Sequence, residues 1–175
     1  FIEQCHRLAL PMNKQIKGFS TGMKAKLKIL VAISHDTELL ILDEPTSGLD
    51  VMARNEVLEM LREYMEKDDK RAILISSHIS SDLENLCDDL YMIDNGKIVF
   101  QEEKDTLLDT YRIVKGDIQS LTNDVRKLFL NVPETAFGFT GITKQVSEVR
   151  SYISDAIVER PTIEDIMLAN IGGEQ

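Results

Sequence analysis

The stretch "ELLILDEPTSGLD", Glu38 to Asp50, sets four consecutive apolar residues directly against two acids. A run this short does not make a helix, and its apolar continuity suits a strand covered on both faces, as in a parallel sheet. Pro45 and Gly48 then turn the chain toward a third acid, Asp50. Acids at a strand end have an ordinary meaning, since polar residues mark where a strand leaves the core. In open parallel sheets, however, ligands gather beyond the carboxyl ends of the strands. There one carboxylate can hold a hydrated magnesium ion and its neighbour can polarise an attacking water.

The surrounding pattern favours such a sheet. "FSTGMKAKLKILVAISHD" has helical spacing, with apolar Met23, Leu27, Leu30, Val31 and Ile33 and with Ser20 or Thr21 as the cap. "VMARNEVLEMLREYMEKDD" is an amphipathic helix with Ala53, Val57, Leu61, Tyr64 and Met65 on one side. "RAILISSH" reads as a second strand, ending at His78. A helix follows from Ser80 or Ser81, where Ser81 and Glu84 have capping-box spacing. Asn95-Gly96 between "DLYMID" and "KIVFQ" signals a two-residue hairpin. Strands alternating with helices imply an α/β fold with a mainly parallel sheet.

The texture changes near residue 101, dividing the chain into residues 1–101 and a small α+β appendage over 102–175. In the appendage "EEKDTLLDT" is expected as helix, "YRIVKGD" as strand and "IQSLTNDVRKLFL" as helix. "TAFGFTGIT" is loop or strand, with its two Phe rings expected inside, and "SEVRSYISDAIV" is ambiguous. Thr162 and Asp165 frame a last helix, closed by Gly172-Gly173.

Composition narrows the partners. The formal net charge of -10 disfavours nucleic acid and anionic lipid as primary partners. Cys5 and Cys87 match no metal-ligand or disulfide spacing. The longest apolar run, "ILVAI", is far short of a membrane span. "FIEQCHRLAL" reads as the middle of a helix and lacks an initial Met, so the natural start is expected upstream.

Taken together, "LLILDEPTSGLD" resembles the Walker B segment and D-loop of ATP-binding-cassette (ABC) ATPases, and "ILISSH" resembles their switch-histidine strand. "FSTGM", Phe19 to Met23, stands where that family has its signature sequence, usually Leu-Ser-Gly-Gly-Gln. "LCDDLYMIDNGKIV" resembles the strand pair that commonly follows. Order and intervals agree over about residues 1–101, which makes the likeness highly specific.

The resemblance implies a partial P-loop NTPase fold and ATP with Mg2+ as cofactors. By it Asp43 would bind magnesium through water, Glu44 would activate the hydrolytic water and His78 would contact the γ-phosphate. Ser20, Thr21, Gly22 and Met23 would meet ATP held by an opposite subunit, while the D-loop residues Ser47, Gly48, Leu49 and Asp50 would organise the dimer interface. A serine and free amides at a helix start form an anion site, which agrees with the first group. Thr21 and Met23 depart from the signature, as in bacterial exporters whose membrane part is a separate polypeptide. The implied partners are a second, head-to-tail copy and a separate transmembrane permease, on the cytoplasmic face of the membrane. "VERPTIEDIMLANI" resembles the closing segment of those exporters.

A phosphate loop needs Gly-x-x-x-x-Gly-Lys-Ser/Thr, so that backbone amides wrap the phosphates. The sole Gly-Lys pair, Gly96-Lys97, has Tyr91 and Ile98 at the flanking positions and reads as a hairpin turn. These 175 residues are therefore expected neither to bind ATP tightly nor to hydrolyse it alone. Two other readings are a non-catalytic interaction module and a soluble, non-transport member of the same family. Acidic charge, absent coiled-coil heptads and absent zinc-type cysteines argue against the latter.

Overall fold

A computed structural model describes residues 1–171. The chain divides after Leu86 into two compact units, so the hairpin belongs to the second unit. The change in sequence texture comes later, near residue 101.

The first unit runs α1 (Ile2–Arg7), α2 (Thr21–Ile33), β1 (Leu39–Asp43), α3 (Val51–Met65), β2 (Ala72–Ser76) and α4 (Ser80–Leu86). β1 and β2 pair in parallel through the crossover helix α3, with Leu40 opposite Ile73 and Asp43 opposite Ser76. Helix α3 forms as its spacing dictates, burying Ala53, Val57, Leu58, Met60, Leu61 and Tyr64. Full burial of side chains this size stabilises by about 1.5–3 kcal/mol each. Tyr64 donates its hydroxyl to the Thr37 carbonyl at 2.6 Å, so the buried phenol is satisfied.

Two expectations are corrected here. The strand pair is not covered on both faces: Leu40 is buried, while Leu39, Ile41 and Leu74 are exposed. Alternation sends these side chains to opposite faces, and the described residues cover only one of them.

Helix α2 is also rotated relative to the stripe read from its apolar residues. Gly22, Lys26, Ile29 and Leu30 face inward, and Val31 is exposed. The buried lysine explains the shift. Its ammonium donates to the Leu8 carbonyl at 3.0 Å and pairs with Glu56 at 2.8 Å, satisfying a charge that burial would otherwise penalise. A polar residue with two internal partners has outweighed hydrophobic count.

The second unit contains β3 (Asp89–Asp94), β4 (Lys97–Glu103), α5 (Lys104–Thr110), β5 (Arg112–Gly116), α6 (Asn123–Arg126), β6 (Glu134–Thr135), β7 (Gly138–Thr143), α7 (Val146–Tyr152), β8 (Ile157–Glu159) and α8 (Ile163–Ile171). Asn95 and Gly96 both take positive φ, 47° and 75°, and close the β3–β4 hairpin through the mirror-type turn their identities favour. Gly96-Lys97 is thus a turn and no phosphate loop.

The remaining strands form an antiparallel sheet of order β6-β7-β5-β8. With α6 and α7 as connections this is the split β-α-β arrangement, also called ferredoxin-like. Val114, Leu121, Val125, Phe139, Val149, Ile153 and Ala156 make its core.

Three details here differ from the sequence reading. The helix expected over "IQSLTNDVRKLFL" is broken into a 3-10 turn, Ile118–Ser120, and the short α6. Asp117 accepts from the Gln119 amide and Thr122 from the Val125 amide, so local side-chain bonds compete with a continuous helix. Of the two Phe rings, Phe139 is 2% exposed but Phe137 is 97% exposed, because it sits at the tip between β6 and β7. Ser81 lies inside α4 with its hydroxyl accepting from Arg54, and is not the first residue of a capping box. The Thr162–Asp165 box does form, with the Thr162 amide donating to Asp165 at 2.9 Å and the Asp165 amide to Thr162 at 3.2 Å. Gly172-Gly173 lies outside the described residues.

Arg7 joins α1 to α3 by donating two hydrogen bonds to Glu63, at 2.7 and 2.6 Å. These bonds hold the Glu63 carboxyl below its ordinary range. A lowered folded value gives stability that is present above the unfolded pKa and lost as pH falls through the folded one. The pair is partly exposed and screened, so Glu63→Gln is expected to cost about 0.5 kcal/mol at pH ~7. That difference should close as pH falls below the glutamate value of about 4.3, measured by urea denaturation of both proteins.

Candidate active site

The register of β1 on β2 brings two strand ends level. Ser76 donates its hydroxyl to Asp43 Oδ1 at 2.5 Å. The Glu44 amide donates to the Ser76 carbonyl at 3.1 Å, and approaches the Ser76 hydroxyl at 3.2 Å. Glu44 has φ of 46°, a left-handed conformation that costs a non-glycine residue about 1–3 kcal/mol. Strain of this kind persists only where surroundings over-determine it. Here the Ser47 amide also donates to the Glu44 carbonyl at 3.2 Å.

The bend turns Glu44 onto His78. Glu44 Oε1 accepts the His78 amide at 3.0 Å, and Oε2 lies 2.7 Å from His78 Nδ1. Oε2 is sealed from solvent, while the His78 ring is open to it. Asp43, Glu44 and His78, chosen from sequence as one crevice, are therefore brought together. The arrangement can orient a water and contact an anion from the solvent side.

Among the described residues no three His, Cys, Asp or Glu side chains gather as a metal cage. Asp43 beside Ser76 is a sparse oxygen donor set. It fits magnesium, which takes one or two carboxylates together with phosphate oxygens and retained waters.

The signature residues build a second feature. Ser20 caps α2 by accepting the Met23 amide at 3.2 Å. Ser20 and Thr21 are exposed, Met23 is half-buried and Gly22 is buried. A Cβ on Gly22 would stand 2.6 Å from the Cβ of Ala53, so the glycine is needed where α2 meets α3. Asp50 caps α3 by accepting the Ala53 amide at 2.9 Å. Signature and D-loop thus share one tight helix contact, which spacing alone does not reveal. Gly48 takes φ of 70°, while Ser47 is exposed and Leu49 half-buried. No described hydrogen bond or ion pair joins Ser20–Met23 to Asp43, Glu44 or His78.

Sequence reading missed three residues behind the site. Asp82, fully buried on α4, accepts from Thr46 Oγ1 and from Arg54 Nε, each at 2.5 Å. Thr46 lies inside the quoted turn, but nothing in its spacing signals a partner 36 residues away.

Comparison with known proteins finds several similar chains. A family model described as "AAA domain, putative AbiEii toxin, Type IV TA system" matches residues 13–81. A Nod factor export ATP-binding protein I from Rhizobium leguminosarum bv. viciae is 33% identical over 180 residues, covering 96% of this chain and 57% of the relative. The ABC transporter ATP-binding protein NatA of Bacillus subtilis (strain 168) is 36% identical over 101 residues, covering 58% of this chain and 40% of the relative. A solved structure titled "Structure of ATP binding subunit of ABC transporter" matches with a TM-score of 0.50 and 33% identity, over 59% of this chain and 42% of that one.

The chain resembles the ABC ATPases in sequence, and its α/β fold is like that of the P-loop NTPases. Its similarity is to the ATP-binding subunits of transporters, and it spans less than two thirds of the length of these relatives.

Gly22→Ala is expected to destabilise the chain by about 1–3 kcal/mol, since the added methyl overpacks the α2–α3 contact. Pairing it with Ala53→Gly should recover part of the loss. An unchanged urea midpoint for Gly22→Ala would show that this contact does not require glycine.

Proposed function

We propose that this chain carries the carboxylate half of the hydrolysis site of an ABC exporter's ATP-binding subunit. The observation that carries the reading is Glu44: a strained residue at a parallel strand end, its carboxylate held on the His78 amide at 3.0 Å and 2.7 Å from His78 Nδ1.

Asp43 would hold a hydrated magnesium ion, with Ser76 fixing the orientation of its carboxylate. The ion, when bound, neutralises charge on the phosphates of ATP. Glu44 orients the attacking water and takes up its proton on its carboxylate, which His78 holds in place through its amide and ring nitrogen. His78 keeps its amide on Glu44 and turns its exposed ring toward the γ-phosphate. Ser20, Thr21, Gly22 and Met23 present a capped helix start to ATP held by a second copy. Ser47, Gly48, Leu49 and Asp50 line the join between the two copies.

The phosphate loop comes from residues outside these 175. Two observations support this: the chain spans 57% of a relative that it matches over nearly its whole length, and one apolar face of the β1–β2 pair is open. A separate membrane permease is the transport partner, and the subunit sits on the cytoplasmic face. No helix among the described residues is long and apolar enough to cross a membrane, which is compatible with that division of labour. The relatives named for Nod factor export support export as the direction.

In the full-length gene product, Glu44→Gln is expected to lower ATP turnover at least about 100-fold. ATP binding should remain, with an ATP-dependent dimer trapped on gel filtration. Normal turnover by that variant would remove Glu44 from the reaction. Magnesium-dependent turnover by the 175-residue chain alone would show that the phosphate loop is not supplied from elsewhere.

A further inference from the structure

Glu44 and His78 lie on separate segments, and each segment leads within a few residues to the same buried carboxylate. Thr46 follows Glu44 by two positions and is 1% exposed, while Asp82 follows His78 by four and is 0% exposed. Thr46 Oγ1 donates to Asp82 Oδ2 at 2.5 Å. Arg54 donates its Nε to Asp82 Oδ1 at 2.5 Å and its other arm to Ser81 Oγ. We propose that Asp82 is a positioning residue that, through the Thr46 hydroxyl, holds Glu44 in register with His78. The proposal rests on the reading of Glu44 and His78 given above and deepens it.

Short, internally bonded segments make the link mechanical. Between Glu44 and Thr46, Pro45 has a fixed φ. The Ser47 amide donates to the Glu44 carbonyl and the Leu49 amide to the Thr46 carbonyl, both at 3.2 Å. On the other segment the Ile79 amide donates to Ser77 Oγ at 3.0 Å, and the Asp82 amide to the Ile79 carbonyl at 3.0 Å. Neither segment can shift at its far end without moving its functional residue.

The left-handed backbone at Glu44 needs support from both sides. Ser76 supplies it from the strand side, through the Glu44 amide. Thr46, anchored on Asp82, supplies it from the turn side. Arg54 balances the buried charge, which is why a carboxylate can serve as the anchor in a place water does not reach. An ion pair serving stability alone would need only Arg54 and Asp82. The Thr46 hydroxyl adds a link to the turn that bears Glu44.

Thr46 carries the test, because Asp82→Asn would also strip Arg54 of its counter-charge. Thr46→Val keeps the shape and removes the hydroxyl; Thr46→Ser keeps the hydroxyl. In the 175-residue chain, exchange of the His78 amide, which Glu44 Oε1 accepts, is followed by NMR. Thr46→Val is expected to speed that exchange about tenfold, Thr46→Ser to leave it within about twofold, and amides in the middle of α3 to stay unchanged. In the full-length gene product, Thr46→Val should lower kcat for ATP about tenfold with KM within about twofold, and Thr46→Ser should restore kcat. Unchanged His78 exchange in Thr46→Val, or equal acceleration in Thr46→Ser, would overturn the proposal. If the full-length protein hydrolyses no ATP, the functional reading fails, while the exchange result still decides whether Asp82 positions Glu44.

Discussion

Parallel pairing of β1 with β2, in the register that sets Asp43 opposite Ser76, is the constraint on which the rest of the first unit depends. A slip of one residue would send every strand side chain to the opposite face and part the two strand ends. With the register fixed, the strand ends stand level, and the chain can leave one strand in a strained bend stabilised by the other. Helix α3 is what permits the pairing, because parallel neighbours need a crossover whose apolar face packs back onto the sheet. The same helix then receives α2 at Gly22 and Ala53 and sends Arg54 toward Asp82. One element thus serves the sheet, the signature and the clasp behind the carboxylates.

Polar groups, as much as apolar ones, decide how the first unit packs. Lys26 turns α2 so that its ammonium can satisfy the Leu8 carbonyl and Glu56. Asp82 is buried because Arg54 and Thr46 meet it. Such groups are costly to leave unpaired, so they select one geometry among packings that hydrophobic burial alone would tolerate.

The second unit builds its core by a different rule. Glycine at 116 and 141 lets the rings of Phe139 and Phe129 approach the sheet, where a Cβ would meet ring carbons at 2.7 and 2.5 Å. Those rings pack edge to face at 5.6 Å. The split β-α-β order of this unit was not legible in the sequence. Its strands are short and its helices are broken by their own side-chain caps, so periodicity is weak. The first unit was far more legible, because β1, α3 and β2 each carry an uninterrupted pattern.

By itself the sequence determined the elements of the first unit, the grouping of Asp43, Glu44 and His78, and the family that the chain resembles. Those follow from local order: apolar runs set strands, and motif spacing sets what lies at their ends. Only the tertiary structure decided the open face of the strand pair, the rotation of α2, the reason for Gly22 and the junction of Thr46, Arg54 and Asp82. Each of these depends on residues far apart in sequence. Burial and hydrogen-bond satisfaction are properties of the surroundings that folding assembles, and no residue carries them in its identity alone.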